Sequence, residues 1–335
     1  MTESFQRISR ALRHRLRPRW WKRKIMRPPV VTQAAIVAAL RALGIEDGDD
    51  VMFHSSLSSF GHVEGGANSV IDAFLESVGP NGTVLAPSFS RFELRRGEFG
   101  SWWNPEATPV YTGEITEAFW RRPVAVRSFH PTHSVAAIGA RARYYTSEHG
   151  LEGDRCGFWG TGVFSSRSPW EKMVQQEVHY VMAGCSFEPA TLGHHVESYL
   201  VTADLEGLPQ GERAGFANAL RHNYYNPEGP WPDIDRVKLG QALDAQGLVR
   251  RVRIGWALLE RISASEYFRA ALDLCRRDPD RWLSKPYMAW RQRVSERTME
   301  LRATPRDDAG SIGDAGESRK PLSSVSAGRS RQDCR

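Results

Sequence analysis

Two adjacent histidines followed by a glutamate form the clearest candidate for acid–base chemistry in this sequence. They are His194, His195 and Glu197, within the stretch TLGHHVESY. Histidine exchanges protons near neutral pH, and a carboxylate against one ring nitrogen orients the other nitrogen as a base. Helical residues three apart share a face, whereas adjacent residues point about 100° apart. The spacing therefore pairs His194 with Glu197 and leaves His195 outside the pair, although an exposed polar pair without a catalytic role fits the same spacing.

A second polar cluster, HSSLSSFGHVEGGA at 54–67, combines a strand end with a loop rich in serine and glycine that leads into a helix. Unpaired backbone N–H groups at a helix start favour a phosphate or another anion. An ordinary turn is the alternative interpretation of this loop.

The third cluster is RSFHPTHS at 127–134, which places an arginine, two histidines and two serines just before a predicted strand. These side chains could line a site, bind a metal, or satisfy buried backbone groups. No carboxylate or thiolate of the kind that zinc prefers lies nearby in sequence, so HPTH alone does not make a good zinc site.

The elements that must position these clusters alternate between helix and strand. TQAAIVAALRALG is predicted as a helix, DGDDVMFHSS as a strand, GGANSVIDAFLESVG as a helix and NGTVLAPSF as a strand. This alternation predicts an α/β/α layered fold with a mixed, partly parallel central sheet in a single large catalytic domain. Ligands in such folds bind where strands end and helices begin, which is where the three clusters lie.

The alternation continues along the chain. Apolar spacing and proline positions predict helices at 113–123 and 168–176, strands at 133–139 and 177–185, and a helix through HHVESYLVTA. The stretch 205–250 is polar and is predicted to be irregular, before a strand-like segment and further helices at RVRIGWALLERISASEYFRAALDLC.

The overall composition is ordinary for a soluble globular protein. The 335 residues are 41% hydrophobic and 25% charged, and no apolar run reaches the roughly 18 residues of a membrane span. The N-terminus lacks a signal-peptide pattern, so a cytoplasmic location is expected. The four cysteines form no CxxC pair, and the sequence contains no P-loop, GxGxxG or GxSxG motif.

The positive net charge is concentrated at the N-terminus. Residues 1–28 hold ten Lys or Arg and one acid, so the remaining chain is slightly negative and a nucleic-acid function has little support. We predict a basic, flexible arm at 1–31, a catalytic domain at 32–302 and a disordered polar tail at 303–335. The arm could contact an anionic membrane or an acidic partner, or be a simple tail. Whether the protein is a monomer or a dimer stays open.

In their order and spacing, the three clusters resemble the aminoglycoside 3-N-acetyltransferase family over roughly residues 32–290. The resemblance is carried by HSSL and the following GG and helix, GTVLAPSF, EAFWRRPVAVRS with HP, SVAAIG, SP at 168–169, T-x-x-H-x-x-E at 191–197, and IGWALLERISA. No single motif is specific, whereas the ordered set is.

The resemblance implies direct acetyl transfer from acetyl-coenzyme A to a small-molecule amine, without a metal. His194 then corresponds to the general base and Glu197 to its orienting partner. Glu93 and Glu228 fall where acids would bind a polycationic acceptor. The residues implied to line the coenzyme A channel are His54, Ser55, Ser56, Leu57, Arg127, Ser128, His130 and, by position, Ser134.

Other functions remain as alternatives. Relatives of this kind also acetylate biosynthetic amines, so the acceptor need not be an antibiotic. A metal-dependent hydrolase would use His130, His133, His194 and Glu197. A non-catalytic binding protein would keep the fold and use the basic arm for docking.

Overall fold

The computed structural model describes residues 27–90, 103–150, 153–155, 160, 162–220 and 229–303. Most of the predicted arm, nearly all of the predicted tail, and the predicted acceptor-binding residues Glu93 and Glu228 lie outside these residues. Within them, the first strand is β1 (Val30–Val31), which pairs in parallel with β3 (His62–Val63). These two valines, at the end of the range predicted as an arm, therefore belong to a small sheet.

A seven-stranded mixed sheet forms the centre of the described structure. The strand order is β5-β6-β4-β2-β7-β9-β8, in which β4, β2 and β7 are parallel and the other pairings are antiparallel. This confirms the predicted partly parallel sheet. The strands are β2 (Asp50–Ser55), β4 (Thr83–Pro87), β5 (Val126–Arg127), β6 (Val135–Gly139), β7 (His179–Ala183), β8 (Arg250–Ile254) and β9 (Ala257–Ser263).

Helices cover both faces of this sheet. Successive residues of a strand point to opposite faces, so the buried strands carry apolar side chains on both sides. Met52 packs into one core, whereas Val51 and Phe53 pack into the other. The second core is covered by α1 (Gln33–Ala42), α2 (Gly66–Val78) and α3 (Glu114–Trp120). The first is covered by α4 (Ala142–Thr146), α5 (Pro169–Gln175), α6 (Leu192–Glu206), α7 (Gln210–Asn218), α8 (Arg236–Ala245), α9 (Ala264–Arg277), α10 (Pro279–Trp282) and α11 (Lys285–Ala303). The predicted α/β/α layering is confirmed.

The register brings the three polar clusters to one edge of the sheet. Ser55 pairs with Ala183, so β2 and β7 end together, and Pro87 of β4 pairs with Val135 at the start of the antiparallel strand β6. Ser128 continues this edge, because its backbone N–H donates to the carbonyl of Val135. The carboxyl ends of the parallel strands thus lie beside the loops of the three polar clusters.

The prediction that 205–250 is irregular was wrong for α7 and α8, which lie in this stretch, whereas residues 229–235 form neither helix nor strand. None of the α7 residues is fully buried, and only Phe216 and Ala217 pack partly against the core, so the apolar pattern of this helix is weak. Helix α8 begins after Asp235, whose carboxylate accepts from the backbone N–H groups of Val237 and Lys238. Among the described helices, none combines the length and the apolar character needed to cross a membrane.

Candidate active site

His194 and Glu197 form a hydrogen-bonded pair on the first turns of α6. Nδ1 of His194 lies 2.8 Å from Oε2 of Glu197, and the side chains are 23% and 1% exposed, respectively. An exposed i,i+3 pair would leave both side chains in water. The buried carboxylate therefore separates this pair from the surface pair that the spacing also allowed.

The carboxylate of Glu197 is held by groups from outside its own helix. Oε2 also accepts from the indole N–H of Trp231, and Oε1 accepts from the backbone N–H of Ile234, both at 2.8 Å. Burial alone raises the pKa of Glu197, but His194, the charge of Arg236 and the Trp231 hydrogen bond together hold this pKa below its ordinary value. An ionised carboxylate only accepts hydrogen bonds, so the proton between the two side chains lies on Nδ1 of His194.

The other ring nitrogen of His194 faces an arginine. Nη1 of Arg236, the first residue of α8, lies 3.3 Å from Nε2 of His194, and Nε of Arg236 donates to the carbonyl of Glu188 at 2.8 Å. Gly193 permits this approach, because a Cβ at that position would lie 2.8 Å from Cγ and Cδ of Arg236. The glycine in TLGHH is thus required by a close side-chain contact rather than by its backbone angle.

His133 lies beside this pair from the loop before β6. Its ring is perpendicular to that of His194, with 6.3 Å between centroids, and its Nδ1 is 2.8 Å from Oγ1 of Thr132. Burial first, then the charges of His130, His194 and His149, place the pKa of His133 well below its ordinary value. His133 is therefore neutral at pH 7 and forms an uncharged wall of the site.

Arg127 occupies the centre of the loops that support this wall. Its guanidinium carbon lies 4.6 Å from the ring centroid of Trp103 and 4.9 Å from that of Trp120. Burial lowers the pKa of Arg127 to about 10, so the side chain stays cationic at neutral pH. Its N–H groups donate to Oγ of Ser134 and Ser90 and to the carbonyls of Ser88, Pro105 and Thr108.

Three more residues predicted to line a coenzyme A channel are buried and bonded internally. Oγ of Ser134 donates to the carbonyl of Ser88 at 2.6 Å. Oγ of Ser128 lies 2.8 Å from Nδ1 of His149 and accepts from the backbone N–H of Val135. His130 stacks on His149 at 4.9 Å, and burial lowers the pKa of His130 to about 3. These side chains therefore support the surrounding loops through internal contacts.

The HSSL residues differ among themselves in access. His54 is buried, with Nε2 at 2.8 Å from the hydroxyl of Tyr180, and its pKa falls to about 3 through burial and the charge of Arg236. Ser55, Ser56 and Leu57 are half-buried at the carboxyl edge of the sheet. Of these four predicted residues, the last three have surface that a ligand can reach.

A cavity of about 1000 Å³ opens separately along the sheet edge beside β5. Its lining includes Trp120, Arg121, Arg127 and Arg143, but neither member of the His194–Glu197 pair. Cationic side chains in a cavity of this size suit an anionic group.

Pattern reasoning found His194 and Glu197 but missed the groups that hold them. Trp231, Ile234 and Arg236 belong to the segment predicted to be irregular, and the bond from Arg236 to His194 spans 42 residues of sequence. The signal that could have revealed this segment is Asp235, a helix-capping residue type, followed by Leu239 and Leu243 at helical spacing.

A model of the aminoglycoside 3-N-acetyltransferase family matches residues 52–276, more than half of the chain. This chain belongs to that family. The matched residues include the HSSL loop, the RSFHPTHS segment and the His194–Glu197 pair. The resemblance recognised from the ordered motifs is therefore confirmed.

Curated relatives agree with this membership. Aminoglycoside N(3)-acetyltransferase VII of Streptomyces paromomycinus is 34% identical over 188 residues, which cover 50% of this chain and 60% of that protein. Aminoglycoside N(3)-acetyltransferase III of Pseudomonas aeruginosa is 28% identical over 263 residues, which cover 73% of this chain and 91% of that protein. With the first of these relatives, the chain thus matches less than two thirds of the relative's length.

Solved structures show the same fold. Aminoglycoside acetyltransferase AAC(3)-Xa superposes with a TM-score of 0.57 and 25% identity, over 73% of this chain and 93% of that one. AAC-VIa bound to sisomicin superposes with a TM-score of 0.58 and 25% identity, over 74% and 98%. The α/β/α layers described above are therefore the family's architecture.

Proposed function

We propose that this protein transfers the acetyl group of acetyl-coenzyme A to an amino group of an aminoglycoside or a related aminosugar, with His194 as the general base. The observation that carries the proposal is the His194–Glu197 pair, in which a buried carboxylate holds Nδ1 while Nε2 belongs to a ring that is partly exposed. Family membership supplies the reaction class, acyl transfer to nitrogen.

The residues of this chain would then act in a defined order. Nε2 of His194 takes a proton from the acceptor amine as the amine nitrogen attacks the thioester carbonyl, and the new C–N bond replaces the C–S bond. The resulting imidazolium donates through Nδ1 to Glu197, whose negative charge stabilises it. Acetyl-coenzyme A supplies the activated acyl group, and the departing sulfur accepts a proton, which His194 can return.

Ser55, Ser56 and Leu57 are the residues best placed to hold the acetyl donor. They are half-buried at the carboxyl edge where α6 also begins, and two hydroxyl groups suit the amides of a pantetheine arm. Arg127, Ser128, His130 and Ser134 support the proposed channel through their internal bonds. AAC-IIIb, a structural neighbour of the same fold, was solved as a binary complex with CoASH.

The acceptor is proposed by analogy with the relatives. They are named aminoglycoside N(3)-acetyltransferases, and AAC-VIa was solved with sisomicin bound. Aminoglycosides are polycations, so Glu93 and Glu228 remain our proposed acceptor-binding acids. A biosynthetic amine is the alternative acceptor, because the same base would serve it.

A thiol-release assay with acetyl-coenzyme A tests this function against aminoglycosides, aminosugars and arylamines. We expect turnover of an amine by the full chain, its loss in His194→Gln, and its retention in His62→Gln, a matched change at an exposed histidine. Turnover of arylamines alone would replace the aminoglycoside by a biosynthetic acceptor. Unchanged turnover in His194→Gln would contradict the assignment of the base, and failure to bind coenzyme A would contradict the function.

A further inference from the structure

Arg236 occupies an unusual position for a cation, because its guanidinium points at the nitrogen that must take up a proton. Nη1 of Arg236 is 3.3 Å from Nε2 of His194. A guanidinium donates hydrogen bonds and accepts none, so Nε2 must offer its lone pair. A protonated His194 would turn an N–H toward another N–H and place two positive charges in contact.

The contacts of the two His194 ring nitrogens with Glu197 and Arg236 are satisfied together by one protonation state. Glu197 accepts at Nδ1, and Arg236 donates at Nε2. Only the neutral ring with its proton on Nδ1 satisfies both partners. That tautomer is also the one that carries a lone pair on Nε2, which is the form a general base requires.

Arg236 is held in this position by the fold. It begins α8, its Nε donates to the carbonyl of Glu188, and its aliphatic chain crosses α6 at Gly193. Charged or titratable groups near the His194 ring include Glu197 on α6 and His133 from the loop before β6, and the hydroxyl of Tyr267 of α9 lies near the preceding Gly193. His133 is neutral, so Glu197 and Arg236 place opposite charges at the two nitrogens of the His194 ring.

We propose that Arg236 is a positioning residue that keeps His194 neutral, with the proton on Nδ1, until an acceptor amine takes its place at Nε2. Arg236 and the amine need the same lone pair, so the arginine must turn away as the acceptor binds. This inference deepens the proposed function, and its kinetic test rests on that function. Its spectroscopic test does not.

The first test is an NMR titration of the full chain labelled with ¹⁵N in its imidazole rings, with the His194 signals assigned by loss in His194→Gln. We expect the pKa of His194 to rise by about one unit in Arg236→Gln, the size of change that removal of a neighbouring cation produces. Arg236→Lys should retain most of the wild-type value. Lys238→Gln serves as the matched control, because it removes a cation from the same helix whose Nζ bonds instead to the carbonyl of Arg281.

A second variant displaces the guanidinium without removing its charge. Gly193→Ala introduces a Cβ within 2.8 Å of Cγ and Cδ of Arg236, so the side chain must shift away from its present path. We expect the pKa of His194 to rise in this variant too, by less than in Arg236→Gln. It also keeps the inference testable if Arg236→Gln fails to fold.

The kinetic readout is the pH profile of acetyl transfer. Since the cation disfavours protonation of His194, its removal should shift the acidic limb of kcat/KM to higher pH by about one unit, or tenfold in the protonation equilibrium. Above both pKa values the variant and wild-type rates should converge. A folded Arg236→Gln protein whose His194 keeps its wild-type pKa and tautomer would overturn the proposal, whereas absence of turnover in every variant would count only against the proposed function.

Discussion

Two adjacent histidines of α6 each lie beside a glutamate, and the two pairs differ in partner, in burial and in access to solvent. His194 meets Glu197 of its own helix, whereas Nε2 of the neighbouring His195 lies 3.1 Å from Oε2 of Glu171 on α5. The His194 side chain is 23% exposed, and that of His195 is fully buried. Residue type and proximity to a carboxylate are therefore shared, but access to solvent is not.

The surroundings of His195 favour a structural role for it. Its ring packs against Phe164 and Phe268, with centroids 5.9 and 5.1 Å away. Burial lowers the pKa of His195 more strongly than Glu171 raises it, so the ring is neutral. Neither ring nitrogen makes a well-aligned hydrogen bond among the described residues. Of the two histidines, only His194 combines a ring nitrogen held by a carboxylate with a partly exposed ring, as the proposed general base requires.

The most damaging change should be His194→Gln. It keeps a polar side chain of similar size but removes the proton-accepting nitrogen, and general-base catalysis typically contributes about 10²–10⁴-fold to rate. We expect kcat to fall by this factor with little change in melting temperature, measured by thiol release and calorimetry. An equal loss of stability would erase the contrast between the two histidines.

His195→Ala should show the opposite pattern. It empties a fully buried site between two aromatic rings, and comparable truncations in cores cost about 2–4 kcal/mol. Denaturant unfolding should reveal this loss, while kcat per folded molecule stays within a few-fold of wild type. A loss of kcat as large as that of His194→Gln would assign His195 to the chemistry instead.

The sequence could predict His194, Glu197 and the separation of His195, because these depend on the geometry of one helix. It could also predict the longer strands and helices through residue 206, where apolar spacing, capping residues and prolines are local signals. It did not predict the short elements β1, β3, β5 and α4. It could not reveal that Glu171 belongs to His195 or that Arg236 belongs to His194. Those contacts depend on how separate helices pack, and no local pattern encodes the packing.

The buried pair of His195 and Glu171 should also make the free energy of unfolding depend on pH. Burial raises the pKa of Glu171, but His195 and the ion pair with Arg155 at 2.6 Å outweigh it and lower the pKa to about 2. The folded value lies below the ordinary 4.5, so its stabilisation is complete above that pH and is lost as pH falls toward 2. Unfolding free energies measured from pH 6 to 2 should fall less steeply in Glu171→Gln than in wild type. Identical slopes would mean that Glu171 titrates normally.

The smallest effect is expected at Trp231, which holds the carboxylate of the more exposed pair. Trp231→Phe keeps an aromatic ring but removes the N–H that donates to Oε2 of Glu197 at 2.8 Å. Ile234 still donates to Oε1, so the carboxylate keeps one outside partner and its orientation loosens only in part. A hydrogen bond to a charged group contributes about 1.5–3 kcal/mol to stability, of which only a fraction is realised as transition-state stabilisation. We expect kcat/KM to fall by about three- to tenfold, on the order of 1 kcal/mol.

His195→Ala should not add to this loss of kcat/KM in Trp231→Phe, since the two pairs share no partner. A synergistic loss in the double variant would show that the two glutamates are coupled through α6.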